Sequence, residues 1–137
     1  MRFIALLLLT TLALFGANAK DAAFLLGYGT NYDVALQKAK KEHKILMMVI
    51  VKDPCPYCDR LVDDTLDTPQ VKAKLSKFVP LIIDINGKYP KEFQPPFSPM
   101  TTFINPVSEK LVLYIPGYVE KKSFLQGMQE ALKSPSK

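Results

Sequence analysis

Ile45-Leu46-Met47-Met48-Val49-Ile50-Val51 runs through Lys52-Asp53-Pro54 into Cys55-Pro56-Tyr57-Cys58 and then Asp59-Arg60-Leu61-Val62-Asp63-Asp64-Thr65-Leu66. An unbroken apolar run of this length, stopped by a charged, proline-bearing turn, reads as a strand buried on both faces. Residues 59–66 are amphipathic and read as a helix. The two cysteines therefore sit where a buried strand hands over to a helix N-terminus. There the first thiol meets unsatisfied N–H groups and the positive end of the helix dipole, which favour thiolate over thiol. Three residues later the chain has nearly completed a turn, and the second sulfur returns within bonding distance. The pattern predicts Cys55 as nucleophile and Cys58 as resolving thiol. Pro56 stiffens the turn, and Tyr57 sets an aromatic face at the rim.

Other uses of two cysteines fit less well. A Cys55–Cys58 bond closes a loop too short to remove much unfolded-state entropy, so stapling explains the spacing poorly. Zinc normally takes four ligands, and the chain has two cysteines and one histidine. That histidine, His43, falls in a lysine-rich helix end and reads as solvated. Asp59 stands where covalent haem attachment needs histidine. No metal and no cofactor is expected.

Outward from the motif, the elements alternate. Val34, Ala35 and Ala39 fall at helical offsets after Asn31 or Asp33 as cap. Residues 20–30, with Gly27 and Gly29, suggest an N-terminal strand or an extended lead-in. Thr68-Pro69 opens a helix to about Lys77, with proline at the first helical position. Residues 78–85 form a second buried strand, whose Pro80 restricts it to an edge or a strand start. Residues 86–99 are a loop rich in proline and aromatics, including Phe93 and Phe97, and long enough to suggest function. Strands follow at 100–104 and 110–115, and Phe124, Leu125, Met128 and Leu132 stripe a C-terminal helix.

The N-terminus has the three parts of a secretory signal: Arg2, the apolar run 3–15, and Ala17-Asn18-Ala19. Cleavage is expected before Lys20, giving a signal peptide at 1–19 and one domain at 20–137. An uncleaved anchor is the competing reading, but the apolar run is shorter than the roughly 20 residues that span a bilayer. The remaining cations are nearly all lysines scattered among acids, which argues against a nucleic-acid surface.

Strand, Cys55-Pro56-Tyr57-Cys58, helix, and then Ser98-Pro99-Met100-Thr101-Thr102-Phe103-Ile104-Asn105-Pro106 together resemble the thioredoxin superfamily over nearly the whole domain. The resemblance implies an α/β thioredoxin fold, a central mixed β-sheet flanked by helices. It places the family's substrate-facing cis proline at Pro99, with Ser98 and Met100 beside it and Pro56 and Tyr57 opposite as substrate contacts. Ile115-Pro116-Gly117-Tyr118 resembles the family's hairpin-to-helix turn. The nearest style is that of small periplasmic bacterial thioredoxins, including those of sulfur oxidation and the soluble reductase ends of membrane electron carriers.

Two positions depart from the family. Pro54 replaces the usual Trp, and Val49 replaces the buried Asp six residues before the first cysteine. The Cys-Pro-Tyr-Cys sequence is also typical of glutaredoxins, but the glycine pair they use near glutathione is missing after Phe103. The chain has no room for an added dimerisation domain or the helical insertion of strong oxidants. The implied activity is therefore that of a monomeric periplasmic reductase or exchange partner, serving disulfide-containing protein clients and recharged by a membrane electron carrier. A thioredoxin-fold binding or chaperone module with a redox-sensing dithiol, or a glutaredoxin-like activity, remains the alternative.

Overall fold

The computed structural model describes residues 18–134. The predicted signal segment, apart from Asn18 and Ala19, lies outside them.

The fold is built on the apolar run. As strand β1 (Ile45–Val51), it lies inside a four-stranded sheet of order β2-β1-β3-β4, with β2 at Phe78–Asp84, β3 at Met100–Ile104 and β4 at Leu111–Pro116. β2 runs parallel to β1, while β3 is antiparallel to both β1 and β4. Both faces of β1 are covered, which explains why its sequence does not alternate. Met47, Val49 and Val51 enter one hydrophobic cluster with Phe103, Cys58 and Phe124. Leu46, Met48 and Ile50 enter the other with Leu36, Ala39 and Ile104.

The helices follow local sequence. Helix α2 (Tyr32–Glu42) is capped by Asn31, whose side-chain oxygen accepts the Val34 N–H at 3.0 Å, and it ends at His43 in the left-handed region. Its buried stripe is Tyr32, Ala35, Leu36 and Ala39, whereas the expected core position Val34 is 65% exposed. Helix α3 (Pro56–Arg60) continues as a π-helical stretch, Leu61–Leu66. Helix α4 (Pro69–Lys74) passes through a 3-10 turn, Leu75–Lys77, into β2. The long loop 86–99 holds one 3-10 turn, Lys91–Phe93, and α5 (Lys121–Lys133) buries Phe124, Met128 and Ala131.

The N-terminal segment differs from expectation. It is a helix, α1 (Ala19–Leu26), capped by Asn18 and ended by Gly27 at φ 72°. Its inward stripe is Ala22 and Ala23 with the partly buried Ala19 and Leu26, a helical spacing that the exposed Phe24 and Leu25 obscure in the sequence. Strand-like pairing survives only at Gly29, whose N–H donates to Pro80 O at 3.0 Å and whose carbonyl accepts the Ile82 N–H at 2.9 Å. This also explains Pro80. β2 is an outer strand, and the N and O of one strand residue point to the same side. Since Pro80 O faces Gly29, the missing N–H faces away from β1, and the β1–β2 ladder loses nothing.

Phe103 is fully buried and packs on Phe78 at 5.5 Å between ring centroids. Phe103→Ala is expected to lower the unfolding free energy by about 3–5 kcal/mol. Phe24 is 92% exposed, and Phe24→Ala is expected to change stability by less than about 0.5 kcal/mol. Urea denaturation of both variants checks the contrast.

Candidate active site

Cys55 caps α3 with its own sulfur. Its backbone is extended (φ −156°, ψ 95°), Pro56 occupies the first helical turn, and the Cys58 N–H donates to Cys55 Sγ at 3.2 Å. One helix-start N–H thus points at the reacting atom. The two cysteines form a disulfide, with 5.2 Å between their Cα atoms. They are not equivalent: Cys55 is partly exposed, and Cys58 is completely buried.

The loop before β3 closes the other side. The Ser98 hydroxyl donates to Cys55 Sγ at 3.6 Å, and Ser98 O lies 3.9 Å from the same sulfur. The Ser98–Pro99 peptide bond is cis, as is Asp53–Pro54. Pro99 is buried, and its carbonyl accepts the Gly117 N–H at 2.9 Å, which ties the loop to the turn after β4. Met100 is buried, opposite Ile50 on one side and Pro116 on the other. Of the sequence-predicted residues, the structure thus gathers Cys55, Cys58, Ser98, Pro99 and Met100 at one end of the sheet.

The aromatic candidates divide. Tyr57 and Phe97 are 60% and 49% exposed, whereas Phe93 is a core residue packed in the second cluster. Phe93 still forms one wall of a cavity of about 400 Å³ that runs from Phe97, Met100 and Pro116 to Tyr114 and Leu111. Val49, the position where the family carries an acid, is completely buried in the first hydrophobic cluster.

Two contacts at the rim have no sequence signature. Thr65 donates its hydroxyl to Val119 O at 2.7 Å, pinning the β4–α5 connection to the motif helix, and the Arg60 guanidinium lies 4.4 Å from the Tyr118 ring centre. Their partners are more than fifty residues apart, so only the folded chain reveals them. Among the described residues, no group of three or more His, Cys, Asp or Glu is placed to hold a metal ion.

Residues 32–132 match the family of thioredoxin-like domains. The chain belongs to the thioredoxin-like family. With its Cys-x-x-Cys at a strand-to-helix junction, it is a thiol–disulfide oxidoreductase. Solved structures share the fold at low identity. A thioredoxin from Thermus thermophilus is 21% identical, with a TM-score of 0.69, over 77% of this chain and 87% of that one. The oxidised C-terminal domain of Neisseria meningitidis DsbD is 20% identical, with a TM-score of 0.62, over 76% of this chain and 98% of that domain. The periplasmic thioredoxin SoxS from Paracoccus pantotrophus is 10% identical, with a TM-score of 0.56, over 66% and 98% respectively. No curated protein matches the chain.

On the motif helix, the Asp63 carboxyl is pushed above its ordinary value, first by partial burial and then by Asp59, Asp64 and Asp67. A raised carboxyl favours folding while protonated, and that contribution is lost as pH rises through the folded-state value. Asp63→Asn, which removes the charge, is expected to raise the melting temperature at about pH 7 and to leave it unchanged at about pH 3. Thermal unfolding at the two pH values checks the sign.

Proposed function

We propose that this protein is exported and exchanges disulfides with protein clients, Cys55 attacking and Cys58 resolving. The observation that carries the reading is the asymmetry of the pair. One sulfur is reachable and receives hydrogen bonds from an amide and a hydroxyl, while the other is sealed behind it.

In the reducing direction the Cys55 thiolate attacks a client disulfide. A Cys55–client bond forms, the client S–S bond breaks, and one client thiolate leaves. The Cys58 sulfur then attacks Cys55 Sγ, re-forming the intramolecular disulfide and expelling the second client thiolate, which takes up a proton. Two electrons pass from the dithiol to the client, and a membrane electron carrier restores them. The amide and hydroxyl donors serve whenever negative charge resides on Cys55 Sγ.

A polypeptide client is supported by the surroundings of the sulfur. Ser98, just ahead of β3, offers backbone for strand-like pairing beside the sulfur, with Met100 following it inside the sheet. Tyr57 and Phe97 supply exposed aromatic surface, and the cavity beyond Phe97 has room for a client side chain. Pro56 holds the turn between the sulfurs. The chain works as a monomer with no cofactor.

Export is supported by the charge, apolar run and Ala17-x-Ala19 pattern of residues 1–19, and by a fold shared with a protein described as a periplasmic thioredoxin. Among the described residues no helix is long and apolar enough to cross a membrane. Cleavage before Lys20 removes the Asn18 oxygen that accepts the Asp21 N–H at 2.9 Å, costing the first turn of α1 about 1 kcal/mol.

Trapping tests both halves. Cys58→Ser protein expressed in its native host is expected to accumulate client adducts on Cys55, with a mature N-terminus at Lys20. Cys55→Ser is expected to accumulate none. Mass spectrometry of the adducts reports the attachment site and the N-terminus. Equal trapping by both variants would refute the assigned roles, and an intact Met1 in a membrane fraction would refute cleavage.

A further inference from the structure

The sheet face that encloses Cys58 carries a hydroxyl with nothing to bond. Thr101 is 1% exposed, and its Oγ1 has no hydrogen-bond partner. A buried hydroxyl without a partner is costly and calls for an explanation.

Its place in the sheet supplies one. Thr101 lies opposite Val49 in the β1–β3 register. Side chains alternate along a strand, so Thr101 shares a face with Phe103, whose cluster contains both Val49 and Cys58. It also stands three residues after Ser98, whose carbonyl is 3.9 Å from the sulfur to which Cys58 is bonded. Other polar groups on this face are committed or distant. The Thr65 hydroxyl is donated to Val119 O. Tyr28 belongs to the same cluster and also has an unpartnered hydroxyl, but it enters from outside β2 and its hydroxyl feels the charge of Asp67, at the opposite end of the motif helix from Cys58.

In the disulfide, the Cys58 sulfur is uncharged and the Thr101 hydroxyl makes no hydrogen bond to it. During resolution it must carry negative charge inside a hydrocarbon cluster, with no carboxylate at position 49 to relay its proton. Resting on the Cys55 and Cys58 roles proposed above, we propose that the Thr101 hydroxyl donates a hydrogen bond to the Cys58 sulfur as that sulfur becomes a thiolate, and so sets the rate of client release. Thr101 gives up no proton of its own. The Cys58 proton leaves to solvent, the Cys55–Cys58 bond forms as the Cys55–client bond breaks, and the departing client thiolate is protonated in turn.

The reaction of the reduced full-length mature protein with 5,5′-dithiobis(2-nitrobenzoate) separates the steps. The first release of thionitrobenzoate reports attack by Cys55. The second, independent of reagent concentration, reports resolution by Cys58. Thr101→Val replaces the hydroxyl by a methyl of similar shape. It is expected to leave the first phase unchanged, to slow the second about tenfold and to move its pH midpoint up by about one unit, as loss of a hydrogen bond to a charged group implies. Thr101→Ser keeps the hydroxyl and is expected to stay within about twofold of the parent. Thr101→Ala carries the same expectation as the valine variant and stands in for it if that variant misfolds.

The pH background is common to all variants. Cys58 shares its helical stretch with Asp59, Arg60, Asp63, Asp64 and Asp67. The helices packed on it carry Lys72 and Lys74 (α4) and Lys121, Lys122, Glu130 and Lys133 (α5). Tyr118 and Glu120 follow β4, Lys20 and Asp21 lie on α1, and of all these and Tyr28 only Tyr28 is buried. β1 and β3 contribute no charged residue. A valine or alanine variant with the parent's second-phase rate and midpoint overturns the proposal. So does a serine variant slowed as much as the valine one, because packing rather than the hydroxyl would then be the cause. Absence of the first phase in the parent protein would instead refute the role of Cys55 and the function built on it.

Discussion

The site depends on the antiparallel pairing of β1 with β3, which sets Ile50 opposite Met100. Because the strands run in opposite directions, the end of β1 meets the beginning of β3. The four residues that follow Val51 and the two that precede Met100 are delivered to the same place. Cys55 and Ser98, forty-three positions apart, come within 3.6 Å through this register. A slip of one residue would reverse the faces of β3 and expel Phe103 from the core, so the hydrophobic pattern that stabilises the sheet also fixes the geometry of the sulfur.

That arrangement explains why the two cysteines differ in environment despite being so close in sequence. Cys55 stands before the first turn of α3, where amides are unsatisfied, and it keeps contact with solvent. Cys58 completes the turn and is carried into the cluster beneath. The Thr65 bond to Val119 and the Arg60–Tyr118 contact hold the far side of the motif helix, so its buried sulfur is backed by packed structure. Burial raises the cost of charge on Cys58, and Val49 adds nothing to offset it. The unpartnered hydroxyl of Thr101 is the polar group that this face of β3 can offer.

The strand–motif–helix unit was legible in the sequence because each part has a strong local signal. Seven apolar residues define β1, Asn31 caps α2, and proline opens α3 and α4. Pro80 restricted β2 to an edge or a strand start, and the structure makes it an outer strand with the proline nitrogen turned to Gly29. The resemblance to the thioredoxin superfamily brought Ser98 and Pro99 to the cysteines, since no spacing rule links residues so far apart. Helix α1 was missed because the exposed Phe24 and Leu25 interrupt its inward stripe of Ala19, Ala22, Ala23 and Leu26, and Val34 was misassigned because Tyr32 and Leu36 flank it with larger apolar surface. Phe93 joins the core for a reason a sequence cannot express: the loop folds back over the face that β3 and β4 leave open. The role of Thr101 was also invisible, because a threonine in a strand is ordinary until its hydroxyl is seen to lack a partner.

The central claim is that Cys55–Cys58 is a reversible exchange couple rather than a staple. Equilibrating the protein with thiol–disulfide buffers of graded potential, and counting free thiols at each, tests it most directly. The account predicts a single two-electron transition between about −270 and −120 mV, the span of known exchange proteins. A pair that stays oxidised below about −300 mV, as structural disulfides do, would contradict it.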